Sequence, residues 1–272
     1  MQLSPFLSRT TLFAVVTLAL GAPAVRAQSL AQRVRDARDG TVELRYAARA
    51  GVCGDGSHSW SIGRSSHTDD GIVVNGMRSM QPCLPGPVRV RLQTERGVVR
   101  IARLDVGPAP ARPNDRVTDL GTVSASAAAD YLLDLATADG TGAPARAITA
   151  AALADSASVW RRLLRIARDS TTSARSTRRE AAFWLALFTA AKLDGRGESL
   201  ALDDDDDEER DDPKSSAIFA LSQLRNHEGI DPLLQIARTN RDAALRRKAL
   251  FWLGQSGDPR ALALFGEILS RS

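Results

Sequence analysis

AIFALSQLRNHEGIDPLLQIAR, Ala217 to Arg238, and KALFWLGQSGDPRALALFGEIL, Lys248 to Leu269, decide the architecture of this 272-residue chain. Apolar residues recur at helical spacing in both: Ala217, Leu221 and Leu224 share one face, as do Ala249 and Leu253. Each stretch breaks at its middle, at Gly229 with Asp231-Pro232 and at Gly257 with Asp258-Pro259. Glycine takes the left-handed position after a helix, aspartate caps the next one, and proline suits its first turn. The spacing predicts two helical hairpins in series.

A copy of this pattern lies upstream. Ala147 to Arg168 (AITAAALADSASVWRRLLRIAR) aligns with Ala217 to Arg238 at an offset of 70, best at LLRIAR against LLQIAR. REAAFWLA, Arg179 to Ala186, aligns with RKALFWLG, Arg247 to Gly254, at an offset of 68; the two-residue difference falls in a loop, where gaps are cheap. The repeat is therefore a double unit, with four hairpins in roughly two copies. Half its period is the length of one short two-helix repeat.

On these residues the chain resembles the HEAT-repeat family, in its short PBS-lyase-like variant. RRKALFWLGQSGDPRALALFGEIL carries the pattern of an Ala/Leu helix, a GDP-type turn and a helix with paired leucines. The resemblance implies an all-α HEAT-like solenoid over 121–272, with Gly121 to Ala136 as a weaker leading helix. It also implies a surface for binding other proteins, without a catalytic centre. Beyond the name of the repeat, nothing points to chromophore attachment. The first copy departs from the pattern after Phe188, where its second helix is degraded.

Met1 to Ala27 reads as a secretory signal peptide: Arg9 supplies the positive start, Thr11 to Ala22 the apolar core, and Val25-Arg26-Ala27 a small-residue cleavage site before Gln28. The apolar run is shorter than the ~20 residues a membrane span requires. Cleavage after Ala27 lowers the formal charge from +4 to +2, and the mature chain is expected to be periplasmic or secreted, with no later membrane span.

Residues 28–106 change period. Leu30 to Arg38 suits a short helix; Val42, Leu44 and Tyr46 alternate with polar or small residues, as do Val88, Val90 and Leu92. Asn75-Gly76 and Glu95-Arg96-Gly97 are turn signals. A small, mainly antiparallel β domain is expected, giving an α+β two-domain chain. Cys53 and Cys83, the only cysteines, enclose a Gly/Ser/Asp-rich stretch, and export favours a disulfide between them. The competing reading is a thiol or ligand site over Cys53 to His67, with His58 close behind the cysteine. A metal site from His58, His67, Asp69 and Asp70 matches no strong ligand spacing.

Residues 107–120, with three prolines in GPAPARPNDRVTD, are expected to be an extended linker. Asp203 to Asp212, DDDDDEERDD, is expected to be a solvated, disordered loop between repeat units; it lacks the alternation and glycine of a calcium loop. Basic residues gather on the helices, and Arg161, Arg165, Arg246 and Arg247 are the candidates for partner contact. Export and the absence of interleaved aromatics argue against nucleic acid. Phe183-Trp184 and Phe251-Trp252 hold equivalent places, as packing between repeats requires. Asp155, Glu180 and Glu267 read as ordinary turn or surface acids, and His227 as an exposed turn residue. No motif calls for a cofactor. The expected function is a non-enzymatic scaffold or adaptor for a protein partner in the cell envelope; the alternative is an enzyme or small-ligand binder with its site around Cys53 to His67.

Overall fold

Alternation builds the first sheet. In a computed structural model, β1 (Gly40–Tyr46) buries Val42, Leu44 and Tyr46 completely, and β6 (Val88–Glu95) buries Val88, Val90 and Leu92. The two strands run antiparallel, with Val42 opposite Leu92, Leu44 opposite Val90 and Tyr46 opposite Val88, so their inward faces coincide. The structure describes residues 28–37, 40–56, 59–62, 65–68, 71–73, 84–95, 98–108, 117–138, 144–155, 158–171, 174–195 and 213–271. The expected signal peptide and the acidic run Asp203 to Asp212 lie outside these residues.

β7 (Val98–Val106) pairs antiparallel with β6, and β8 (Val117–Thr122) pairs parallel with β1, giving the order β7-β6-β1-β8. The β region is mainly antiparallel, as expected, and the β1–β8 pair is its one parallel ladder among the described residues. A parallel neighbour needs a crossover rather than a hairpin. β8 also occupies the end of the stretch read as linker: the prolines stop at Pro113, and Val117 to Thr122 is free to pair. A second sheet, β2 (Val52–Gly54), β3 (Ser59–Ile62), β4 (Ser65–Thr68) and β5 (Gly71–Val73), is an antiparallel meander.

Arg89 of β6 and Asp105 of β7 sit opposite each other and are both buried. The Arg89 guanidinium donates to the Pro108 carbonyl at 3.0 Å and to that of Gly56, tying two loops to the sheet. Burial lowers the Arg89 pKa and raises that of Asp105, while the charge of each opposes the shift of the other. At Gly107, φ is +108° and a Cβ would stand 2.6 Å from the Gly54 carbonyl oxygen, so only glycine fits this crossing.

The rest is helical: α1 (Leu30–Asp36) precedes the strands, and α2 (Ala125–Thr137), α3 (Pro144–Ala152), α4 (Trp160–Arg168), α5 (Arg175–Leu193), α6 (Pro213–Ser222), α7 (Ile230–Thr239), α8 (Ala243–Ser256) and α9 (Pro259–Ser270) follow them. The repeat is real in three dimensions. α4 displaced by 70 residues falls on α7, and the first residue of α5 displaced by 68 falls on that of α8. α3 packs on α5 as α6 packs on α8, and α4 on α5 as α7 on α8. The copies meet where Phe183 and Phe251 touch edge to face at 6.2 Å, as the packing reading of these aromatics requires. Beside them Gly254 lies so close that a Cβ would stand 2.9 Å from that of Ala186, its own equivalent.

The GDP turn forms as expected: Gly257 is left-handed at φ +70°, Asp258 accepts from the Arg260 N–H, and Pro259 opens α9. Gly229 differs. Its φ is −78°, Asp231 and Pro232 lie inside α7, and the left-handed residue is His227, in a short 3-10 turn at Arg225–His227. Glycine is required at 229 because a Cβ would overlap the Leu221 carbonyl oxygen. In the first copy α5 runs unbroken to Leu193, since Thr189-Ala190-Ala191 replace Gly257-Asp258-Pro259 and supply no stop.

The β region and the helices share one core. The segment after β1 docks on the end of α3: the Tyr46 hydroxyl donates to the Ala150 carbonyl at 2.7 Å, the Arg49 N–H to Leu153 at 2.8 Å, and the Asp155 N–H to Ala47 at 2.9 Å. Ala48 and Ala154 thereby form an antiparallel bridge, and the Arg49 guanidinium lies 5.0 Å over the Phe188 ring.

Candidate functional site

Among the described residues, those singled out from the sequence do not converge. Cys53 lies in β2 opposite Ser61. The described residues contain no free cysteine, which removes a thiol nucleophile among them. Cys53 is disulfide-bonded; Cys83, the partner expected for it, lies outside the described residues, and the described β region is held by its ladders and core as well. His58, Asp69 and Asp70 also lie outside the described residues, and His67 is placed only by its backbone, opposite Trp60 and Ile72. Among the described residues, no group of three or more His, Cys, Asp or Glu side chains gathers in a metal-binding arrangement.

Arg161 and Arg165 are exposed one turn apart on α4, the first with its guanidinium 4.7 Å over Trp160. Arg246 and Arg247 are engaged differently. Both reach the buried carboxylate of Asp194 at the end of α5, at 3.5 and 3.2 Å, and Arg246 also donates to the Asn240 carbonyl. They clamp α8 to the preceding copy. Asp155 is used through its N–H against Ala47, and Glu267 pairs with Arg238 at 3.4 Å and with Arg271.

Glu180 is the residue that sequence reasoning misplaced. Its carboxylate is largely buried between helices, where it accepts the Thr149 hydroxyl at 2.6 Å and the Trp184 indole N–H at 2.9 Å. Burial raises its pKa, against the lowering effect of those two bonds and of Arg179. At the repeat offsets, Thr149, Glu180 and Trp184 become Phe219, Lys248 and Trp252. The acceptor is lost, Phe219 lies 5.2 Å from the Trp252 ring, and the buried Trp252 N–H has no partner among the described residues.

This altered position borders a groove of about 310 Å³, at the lower end of ligand-pocket volumes. Leu221 at the end of α6, Leu224 just beyond it, the start of α7 (Ile230, Leu233) and the end of α8 (Trp252, Ser256) form its walls. Leu224, about half exposed, lines it, and Phe219, also about half exposed, lies against the ring of Trp252 in its wall. His227 closes one end at φ +60°, a conformation costing about 1–2 kcal/mol for a residue with a Cβ. Its Nδ1 lies 3.4 Å from the Asp258 carboxylate, itself held below the usual carboxylate range first by its hydrogen bonds with Arg260.

Residues 245–271, most of α8 and all of α9, match the PBS lyase HEAT-like repeat family. The match covers a short C-terminal segment and not the whole chain. No curated protein and no solved structure matches the chain.

Proposed function

We propose that the chain is an exported, non-catalytic interaction protein that recognises a protein partner through its helical region. The observation that carries this reading is the groove at the end of the α6–α7 hairpin, where two large apolar side chains, Phe219 and Leu224, face solvent beside an open, mostly apolar concavity. Apolar patches rimmed by polar groups mark interaction sites. The HEAT-like match at 245–271 supports it, since stacked helical pairs form extended binding surfaces. Arg161 and Arg165 offer a second, charged surface on α4. Arg246 and Arg247 act instead within the fold, through Asp194. The composition of Met1 to Ala27 supports export, and among the described residues no helix is long and apolar enough to cross a membrane.

Retention of envelope proteins by the immobilised whole chain tests this reading, with two surface variants beside it, Arg161→Glu/Arg165→Glu and Leu224→Asp. A protein retained by the parent and lost from either variant supports recognition by the helices. Equal retention by both variants, or none by the parent, overturns it. Export is checked separately: the protein recovered outside the cytoplasm should begin at Gln28.

A further inference from the structure

The two copies differ at one end in a way that identifies what the groove can hold. In the first copy an extended segment of the chain itself, Tyr46 to Arg49, lies across the end of α3 and pairs through the Leu153 carbonyl and the Asp155 N–H. At the repeat offset these positions are Gln223 and Arg225, with Leu224 in place of the bridged Ala154. No described segment pairs with them: all three are exposed, and neither that carbonyl nor that N–H makes a backbone bond to another described segment. The backbone is nonetheless set for pairing, since Leu224 is extended at φ −62°, ψ 141°, and its N–H returns to Leu221 as that of Ala154 returns to Ala151.

We propose that the groove takes an extended peptide segment of a partner protein, paired in antiparallel fashion to Gln223 and Arg225 as residues 47–49 pair with 153–155, with a large apolar side chain inserted beside Trp252. This rests on the protein-binding reading and gives it a mode. Backbone pairing provides affinity without side-chain recognition, and pockets for individual side chains provide the choice of sequence. The side chains differ from those of the first copy. There Arg49 lies over Phe188; the equivalent of Phe188 is Ser256, with no ring to receive a cation. Arg225 is exposed and Lys248 half-buried, and neither has a carboxylate partner among the described residues. The segment that fits carries an acidic residue near its apolar anchor.

The probe is a phage-displayed library of random 12-residue peptides panned against the whole chain, followed by affinity measurements on the enriched sequences. Arg225→Ala removes the charge and keeps the N–H; Arg225→Pro removes both. Proline is compatible here because the preceding residue is already extended and the position opens a 3-10 turn. Enriched peptides should share an apolar residue close to an acidic one, bind Arg225→Pro at least tenfold more weakly than Arg225→Ala, and slow amide exchange at Arg225 in the parent. Thermal unfolding of both variants verifies that they fold. No enrichment, or equal binding by the two variants, overturns the proposal. If envelope proteins are still lost on Arg161→Glu/Arg165→Glu while this test fails, the protein-binding reading stands and the groove is not its site.

Discussion

The Trp184 indole donates to the Glu180 carboxylate at 2.9 Å, one helical turn earlier on α5, whereas the equivalent Trp252 has Lys248 one turn earlier and a buried N–H with no partner among the described residues. Removing a bonded N–H leaves a buried acceptor short of one bond, while removing an orphaned N–H relieves a desolvation cost. Trp184→Phe should therefore destabilise the fold by about 1–2 kcal/mol more than Trp252→Phe. Denaturant midpoints of the two variants at neutral pH measure the difference.

Glu180 contributes a pH dependence of defined sign. Its folded pKa is raised by burial, so the folded state holds this proton more tightly than the unfolded one. Stability from this group is greatest below the ordinary carboxylate pKa and falls as pH rises through the raised value. Glu180→Gln keeps an acceptor for Thr149 and Trp184 without the buried charge. It should be neutral or stabilising at pH 7 relative to the parent, with the gain fading as pH is lowered. A gain that grew toward acid pH would contradict the burial argument.

Asp194 holds Arg246 and Arg247 from the preceding copy. Asp194→Ala should cost about 1–3 kcal/mol, because two half-buried guanidinium groups lose a charged partner. Arg161→Glu/Arg165→Glu, on an exposed helix face, should stay within about 0.5 kcal/mol per position. Thermal melts distinguish a clamp from a surface.

Gly229→Ala places a methyl group on the Leu221 carbonyl oxygen, so the α6–α7 connection must open. A loss of roughly 2 kcal/mol or more is expected, and amide exchange should speed up over 221–230 and leave the α3–α4 connection unchanged. The equivalent residue there is Val159, which is buried without such a contact.

The repeat was readable because helical spacing and an ungapped match constrain the same residues twice; the starts of α4 and α7, and of α5 and α8, fall at the matched offsets. β1 and β6 were readable because one buried face imposes a period of two. β8 was not: VTDLGT has no alternation, being an edge strand whose exposed and half-buried positions follow no clean order. Glu180 was misread because a lone acid on a helix carries no sign of burial; only its exchange for Lys248 at the matched offset marked the position. The groove was hidden for a related reason. It depends on what the β region covers in the first copy and leaves open in the second, a relation between distant segments that no local spacing encodes.

The parallel pairing of β8 with β1 also orders the events of folding. β1 is complete at Tyr46, yet one of its neighbours ends only at Thr122. A chain delivered from its N-terminus holds that strand with an unpaired edge until some seventy further residues have arrived. Such an edge is a template for pairing with other chains, and contacts this distant in sequence form slowly. The stretch from Tyr46 to Val117 is therefore the interval in which this protein most needs protection from aggregation, before any helix of the repeat exists.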